Sequence, residues 1–376
     1  MIAAESAKTG GKAGEEAAPE EKAAEERAVR VPARIRIGTR GSRLALAQTE
    51  LFVQRLKDAY PDIICETVVI KTTGDKLQNK PLSEFGGKAV FVTEFEEAIQ
   101  NGVIDYAVHS AKDMPSELSD GLDIVCVLPR ADVRDVLVTK AGRTIHESDA
   151  AVIGTGSLRR RAQFLERYPH ALIRPLRGNI TTRLEKLKNG EYDGIILAAA
   201  GLSRLGLLSD RELEYTYLDT TFMTPAGGQA FIAVEGKRGG QDLFAVTDRR
   251  AARELSAERE ILKMLGAGCH EAVGVYARCS ADDAFCAGRG DTANDASCTG
   301  EVTANDASCT GEVTTNDVLR AGGGDSAAAE EEPCAAQMQI SLMRERDGVI
   351  RRVGGSAPAE DWHALAERLV QEITEG

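Results

Sequence analysis

Apolar and polar residues first fall into a regular rhythm at Arg34. Arg34, Ile35, Arg36 and Ile37 alternate with the two-residue period of a half-buried strand, and Gly38 and Thr39 end it in a turn. Leu44, Ala47, Leu51 and Leu56 then recur at helical spacing as far as Pro61, predicting an amphipathic helix through them. The same strand, loop and helix unit returns at Ala151. There Ala151, Val152 and Ile153 are apolar, Gly154 to Ser157 is turn chemistry, and Leu158, Ala162 and Leu165 recur at helical spacing.

A second pattern also occurs twice. Asn101-Gly102-Val103-Ile104-Asp105 leads into Tyr106-Ala107-Val108, and Asn189-Gly190-Glu191-Tyr192-Asp193 leads into Gly194-Ile195-Ile196-Leu197. Each reads as a helix end, a glycine cap, an aspartate and a buried strand, downstream of an Ile-Gly-Thr strand exit. The pairing predicts an α/β protein with two similar domains of mostly parallel strands covered by helices. In such sheets ligands bind beyond the carboxyl ends of the strands, so polar loops of both halves are expected to face one cleft. A third region opens near Arg249 with a helical pattern ending at Gly266, and closes with a strand at Met338–Met343 and a helix from about Glu360 to Ile373.

Two segments stand outside this rhythm. Residues 1–33 are rich in Ala, Glu, Lys and Gly with almost no apolar face, and are read as a mobile tail. Residues 281–335 are polar and acidic and contain an 11-residue tandem duplication, Thr292–Val302 copied as Thr303–Val313, and are read as an exposed loop. The expected division is therefore a tail at 1–33, a first domain at 34–132 plus 231–248, a second at 133–230, and a third at 249–376 that includes the insert.

Charge changes meaning once it is located. The chain of 376 residues has a net charge of −13, of which the insert contributes −10 and the tail −2, so the body is nearly neutral. Inside that body lies an arginine-rich middle: Arg159, Arg160 and Arg161 after the Gly154–Ser157 turn, then Arg174, Arg177 and Arg183. Three arginines in a first helical turn oppose the helix dipole, which calls for a compensating anion. Glycine-turn N–H groups and guanidinium forks both suit carboxylate or phosphate, so an anionic ligand is expected. No interleaved aromatic platform or DNA-binding motif accompanies the arginines, which argues against nucleic acid.

Three further clusters carry chemistry. His109-Ser110-Ala111-Lys112-Asp113-Met114-Pro115 sets a lysine beside an aspartate at a strand exit, suited to proton transfer or to stabilising developing positive charge, or simply to tethering a loop. His109 is read as structural. Gly86-Gly87-Lys88 can place a lysine on a mobile loop, with Phe91 either an apolar platform or core. Cys269, on a small-residue loop beside His270, is either a buried small hydrophobe or a reactive thiol. The 8 cysteines form no CxxC pair or zinc-ligand spacing, so no metal is expected and the thiols are expected to stay reduced. Without a secretory signal in the first 33 residues or an apolar run of about 18, the expectation is a soluble, non-secreted protein of the cytoplasm or an organelle matrix, a plastid included.

Taken together, Arg40-Gly41-Ser42, Gly86-Gly87-Lys88, Ala107 to Pro115, Gly154 to Arg160, Leu176 to Asn179, Thr182-Arg183 and Ala200 to Arg204 resemble, in order and spacing, the porphobilinogen deaminase (hydroxymethylbilane synthase) family. The resemblance covers most of residues 34–280 and leaves out the tail and insert. It implies two domains like type II periplasmic binding proteins plus a smaller α+β C-terminal domain, and a monomer. It also implies a transferase of tetrapyrrole (haem) biosynthesis that condenses porphobilinogen head to tail, releases ammonia and yields hydroxymethylbilane. The family's primer is a dipyrromethane cofactor joined by a thioether to a cysteine, and Cys269 is the matching position.

The resemblance also assigns roles. Asp113 matches the catalytic aspartate, which holds pyrrole N–H groups and stabilises the cationic azafulvene formed as ammonia leaves. Ser110, Lys112, Lys88, Thr155, Ser157, Arg159, Arg160, Arg177, Arg183 and Arg204 match cofactor ligands, and Arg40, Ser42 and Phe91 match substrate ligands. Two departures concern loops: Ala267, Glu271 and Ala272 alter the family's cysteine loop, and Ala230 follows Gln229 where the family commonly has glycine. A noncatalytic anion- or solute-binding module on the same scaffold is the alternative, and it would need neither Asp113 nor Cys269.

Overall fold

The computed structural model describes residues 34–72, 92–240, 243–267, 271–280 and 336–375. The tail, the insert, Lys88, Phe91 and Cys269 lie outside the described residues. Three sheets organise the described residues. The first has the order β2-β1-β3-β10-β4, from Ile64–Val69, Arg34–Thr39, Tyr106–Ser110, Ile232–Lys237 and Leu122–Val127. The second has the order β7-β6-β8-β5-β9, from Leu172–Arg174, Val152–Gly154, Gly194–Ala198, Asp135–Lys140 and Leu213–Leu218. In each, the three strands at one side run parallel and one strand enters antiparallel: β10, which returns after the second sheet, pairs with β3 and β4, and β5, the first strand of the second sheet, with β8 and β9.

The internal similarity read from the sequence is physical. Asp105 Oδ2 accepts the Arg36 backbone N–H at 2.7 Å, and Asp193 Oδ2 accepts that of Val152 at 2.7 Å. Each aspartate thus pins the strand that leads to an Ile-Gly-Thr exit. The glycines before them, Gly102 (φ 66°) and Gly190 (φ 81°), take the left-handed conformation that ends helices α2 (Thr93–Gln100) and α4 (Ile180–Lys188).

Helix α1 (Arg43–Ala59) follows β1, and helix α3 (Leu158–Arg167) follows β6. Both begin where predicted, and Leu56 is buried as expected, but the buried faces otherwise differ from the stripes expected and include polar residues. On α1 the buried residues are Gln48, Thr49, Phe52, Val53 and Leu56, while Leu51 is exposed. On α3 they are Arg159, Arg160, Gln163 and Phe164, while Leu158 is exposed. Phe52, Val53 and Leu56 pack into one apolar core and Phe164 into another, while the polar residues meet backbone and polar groups: Gln163 donates to the Thr224 carbonyl at 3.1 Å and accepts the Thr224 N–H at 2.8 Å. Gln48 likewise exchanges hydrogen bonds with the Ser110 hydroxyl.

The third sheet, β11-β12-β13 (Val273–Cys279, Gln337–Arg346, Val349–Pro358), is antiparallel and is covered by α6 (Arg249–Met264) and α7 (Trp362–Glu375). Strand β13, with its glycine-rich and charged sequence, was not anticipated. The turn into it, Asp347 (φ 52°) and Gly348 (φ 81°), has the paired positive φ values of a two-residue hairpin.

Two crossovers, residues 128–134 and 219–231, join the first two sheets, and the third unit is keyed to both. Arg130 stacks on Phe231 and Tyr276, donates to the Ala277 carbonyl at 2.9 Å, and forms an ion pair with Glu258 at 2.8 Å that lacks hydrogen-bond alignment. Glu258 on α6 accepts N–H groups from Gly228 at 2.6 Å and Ala277 at 2.9 Å. Burial raises its pKa, and Arg130 and these N–H groups partly offset the rise. A cavity of about 520 Å³ opens beside Arg130, Arg134 and Tyr276, and none of the predicted site residues among the described residues lines it.

Gly228 (φ 78°) packs so closely that a Cβ would fall 2.8 Å from the Lys112 backbone nitrogen, and Ala230 carries φ 74° despite its side chain. The alanine in place of the family's glycine is therefore held in a left-handed conformation, which costs about 1 kcal/mol. Ala230→Gly should leave the thermal midpoint unchanged or raise stability by at most about 1 kcal/mol, because added chain entropy offsets part of the relief. Gly228→Ala should lower stability by roughly 1–3 kcal/mol. Thermal unfolding of the two variants checks both signs.

Candidate active site

The predicted residues that the structure describes gather at the carboxyl ends of parallel strands in both sheets. From the first sheet, β1 runs into Arg40 and Ser42, and β3 ends at Ser110 and passes into a 3-10 turn, Ala111–Asp113, that carries Lys112 and Asp113. From the second, β6 runs into Thr155 and then Ser157, which caps α3 with its Arg159 and Arg160. The chain after β7 supplies Arg177 and, on α4, Arg183; β8 passes into α5 (Ala199–Arg204), which ends on Arg204.

Local chemistry holds several of these in place. Ser42 accepts from the Ala45 N–H at 3.3 Å and caps α1, Ser157 accepts from the Arg160 N–H at 3.4 Å and caps α3, and Thr155 accepts from the Ser157 N–H at 3.2 Å. Asn179 caps α4 by accepting from Thr182 at 2.9 Å, which fixes the turn from Arg177 to Arg183. Arg183 Nε donates to the Gly178 carbonyl at 2.7 Å, and Arg204 donates to the carbonyl of Ala230. Arg177 is exposed, whereas Lys112, Arg183 and Arg204 are half-buried.

Arg159 and Arg160 are not held out toward solvent. Both are buried around the carboxylate of Asp135, the first residue of β5, which is itself fully buried. Arg159 donates to Asp135 Oδ2 at 2.7 Å and to the Thr224 carbonyl at 2.7 Å. Arg160 donates to Asp135 Oδ1 at 2.7 and 3.1 Å and to the Ile196 carbonyl at 2.9 Å. The anion expected to compensate the helix start is thus, in part, the protein's own carboxylate. One carboxylate facing two guanidiniums still leaves the cluster a unit positive, and Arg159 Nε is buried with no acceptor among the described residues.

The electrostatics tie the two halves together. Burial and then the Arg160 charge hold Lys112 down to a pKa of about 8, against the partial support of Asp113 and Asp135. Burial and then Arg160 lower Arg183, with Asp113 opposing, while burial alone pushes Arg204 down to about 10. Lys112 and Asp113 of the first sheet therefore share one field with Arg160 and Arg183 of the second. A cationic wall with an exposed aspartate at its edge can bind several carboxylates and place one more near a forming cation.

The pattern of the family described as "Porphobilinogen deaminase, dipyromethane cofactor binding domain" matches residues 35–245. The chain belongs to the porphobilinogen deaminase family. It is 47% identical over 249 residues to the porphobilinogen deaminase of Lachnospira eligens, covering 64% of this chain and 83% of that protein. To the probable porphobilinogen deaminase of Archaeoglobus fulgidus it is 44% identical over 243 residues, covering 64% and 82%. To the porphobilinogen deaminase of Bacillus subtilis it is 42% identical over 254 residues, covering 66% and 80%. The family match spans both of the first two sheets and both crossovers.

Sequence reasoning missed Asp135 and Gln229 as parts of this site. The available signal was the dipole conflict at α3, which required an anion without saying whether it came from ligand or protein. Removing the Asp135 charge strands two buried guanidiniums, so Asp135→Asn should destabilise the protein by about 3–5 kcal/mol. Burial opposes ionisation of Asp135, yet Arg159 and Arg160 hold its pKa well below the usual carboxylate range. A depressed folded pKa gives stability that is fully present above the unfolded value of about 3.9 and is lost as pH falls below it. The Asp135→Asn penalty should therefore be constant from about pH 5 to 8 and shrink only in stronger acid, as measured by unfolding from about pH 2 to 8.

Proposed function

We infer that this protein condenses porphobilinogen units head to tail, releasing ammonia at each step and giving the linear tetrapyrrole hydroxymethylbilane. The observation that carries this reading is the Lys112–Asp113 pair at the end of β3, electrostatically coupled to Arg160 and Arg183 of the opposite sheet in a chain of this family. Relatives at 41–47% identity bear the enzyme's name, which favours catalysis over a noncatalytic binding module.

The donor set suits a dipyrromethane. Such a group presents carboxylates, and the site offers a surplus positive charge, half-buried cations and a buried guanidinium nitrogen lacking an acceptor among the described residues. Cys269 would hold it as a thioether, with Ser110, Lys112, Lys88, Thr155, Ser157, Arg159, Arg160, Arg177, Arg183 and Arg204 answering its carboxylates. When bound, the group supplies the nucleophilic pyrrole carbon that starts the chain.

The protein's own part is to bind, orient and neutralise. Arg40 and Ser42 fix the incoming acetate and propionate, and Phe91 packs on the pyrrole face. Asp113 accepts pyrrole N–H groups and stabilises the positive charge that appears as the amine departs. Because Arg159 and Arg160 are buried against Asp135, they act mainly by setting the field of the wall, while Lys112 and Arg183 make the nearer contacts. The protein works as a monomer, free of membrane, in the cytoplasm or an organelle matrix.

Intact mass under denaturing conditions should reveal an adduct of dipyrromethane mass that reacts with Ehrlich reagent and is absent from Cys269→Ser. An unmodified mass in active protein would remove the cofactor assignment. Asp113→Ala should lower hydroxymethylbilane formation by at least about 100-fold while keeping the thermal midpoint and the adduct; unchanged turnover would take Asp113 out of the mechanism.

A further inference from the structure

Gln229 lies buried on the second crossover, between the two left-handed residues Gly228 and Ala230. Its amide nitrogen donates to the Val133 carbonyl at 2.8 Å and to Asp135 Oδ1 at 3.0 Å, and its amide oxygen accepts from Lys112 Nζ at 3.4 Å. The orientation of the amide is dictated by its surroundings, since a carbonyl and a carboxylate can only accept and an ammonium can only donate. One side chain therefore joins both crossovers, the buried ion cluster of the second sheet and the lysine of the first. A carboxylate at this position would lack the donors, and an amine would lack the acceptor.

Rigidity makes the link directional. The Gln229 backbone is clamped on both sides: its N–H donates to Ala226, and its carbonyl accepts from Arg130 Nε at 3.2 Å. Gly228 packs against the backbone of Ala111 and Lys112. The amide cannot swing away from Lys112 without breaking the contact with Asp135. We propose that Gln229 is a positioning residue that transmits the placement of the Asp135–Arg159–Arg160 cluster across the crossovers to Lys112, aiming the ammonium beside Asp113 to receive a pyrrole carboxylate. This rests on the deaminase reading for the identity of the carboxylate, but the coupling itself does not require it.

The charged groups that face Lys112 are Asp113 on its own turn, Asp135 on β5, and Arg159 and Arg160 on α3. The Gln229 oxygen adds a dipole that favours the charged ammonium, so removing it should lower the Lys112 pKa and replacing it by a carboxylate should raise it. The test uses the full-length holoenzyme with Gln229→Met, close in shape but apolar, and Gln229→Glu. The titration of Lys112 Nζ is followed by NMR in lysine-labelled protein, with the Lys112→Arg spectrum assigning the signal. The alkaline limb of kcat/KM is measured alongside.

Gln229→Met should shift the Lys112 titration and the alkaline limb down by about 0.5 pH unit or more, and Gln229→Glu should shift both up. KM for porphobilinogen should rise several-fold in Gln229→Met while kcat changes less. If one variant does not fold, the direction of shift in the other decides. An unchanged Lys112 titration, or shifts of the same sign in both variants, would overturn the proposal. Absence of hydroxymethylbilane formation by the wild type would instead overturn the deaminase reading and leave the titration result standing.

Discussion

The geometry of this molecule depends on one carboxylate, Asp135, held between two buried guanidiniums. Burying three charges is costly, and a symmetric pair would barely break even against desolvation. Here the cost is offset in part because several of the remaining donors are used: the arginines also reach the carbonyls of Thr224 and Ile196, and Gln229 adds a further N–H to the carboxylate. The result locks α3 to β5, to β8 and to the second crossover together. It also explains how a helix tolerates adjacent arginines at its positive end, since Asp135 lies at their guanidiniums and Ser157 satisfies the backbone of the first turn.

Because the cluster sits where the chain enters the second sheet, it couples a local charge problem to the arrangement of the three units. The first crossover brings Arg130 to the third unit and Val133 to Gln229; the second brings Gly228 to Lys112 and Ala230 to Arg204. Glu258 on α6 accepts from both the second crossover and β11, so the helix that precedes Cys269 in the chain is tied to the same junction. Arg259 of that helix donates to the Ser116 carbonyl at 2.9 Å, three residues beyond Asp113. Positions that are distant in sequence thus share one mechanical frame.

Readable in the sequence were the features that arise from local chemistry. The strand exits, the glycine and aspartate before β3 and β8, and the capped starts of α1 and α3 all appear where turn residues and periodicity put them. The full orientation of the helices was not readable, because the inner faces of α1 and α3 mix core apolar residues (Phe52, Val53, Leu56, Phe164) with buried polar ones (Gln48, Thr49, Arg159, Arg160, Gln163), which an apolar-stripe argument cannot anticipate. Nor was the partner of the arginines: a dipole conflict demands negative charge, and only the three-dimensional meeting of β5 with α3 reveals that Asp135 supplies part of it. Strand β13 escaped notice because its glycines and arginines carry no two-residue alternation, and its pairing to β12 along ten residues is what makes it a strand.

The division of the cations into buried and half-buried has a chemical consequence. Arg159 and Arg160 are locked against Asp135, so they contribute a fixed potential rather than an adaptable contact. Lys112 is different, with a pKa of about 8 inside that potential. Below that pH it carries its charge and contributes to the wall; above it, the repulsion from Arg160 and the loss of solvent favour the neutral amine. A carboxylate arriving beside it reverses the balance, since an opposite charge favours the protonated form. Carboxylate binding at this position is therefore coupled to proton uptake above about pH 8, and the strength of that coupling is set by how many guanidiniums the protein has already neutralised with Asp135.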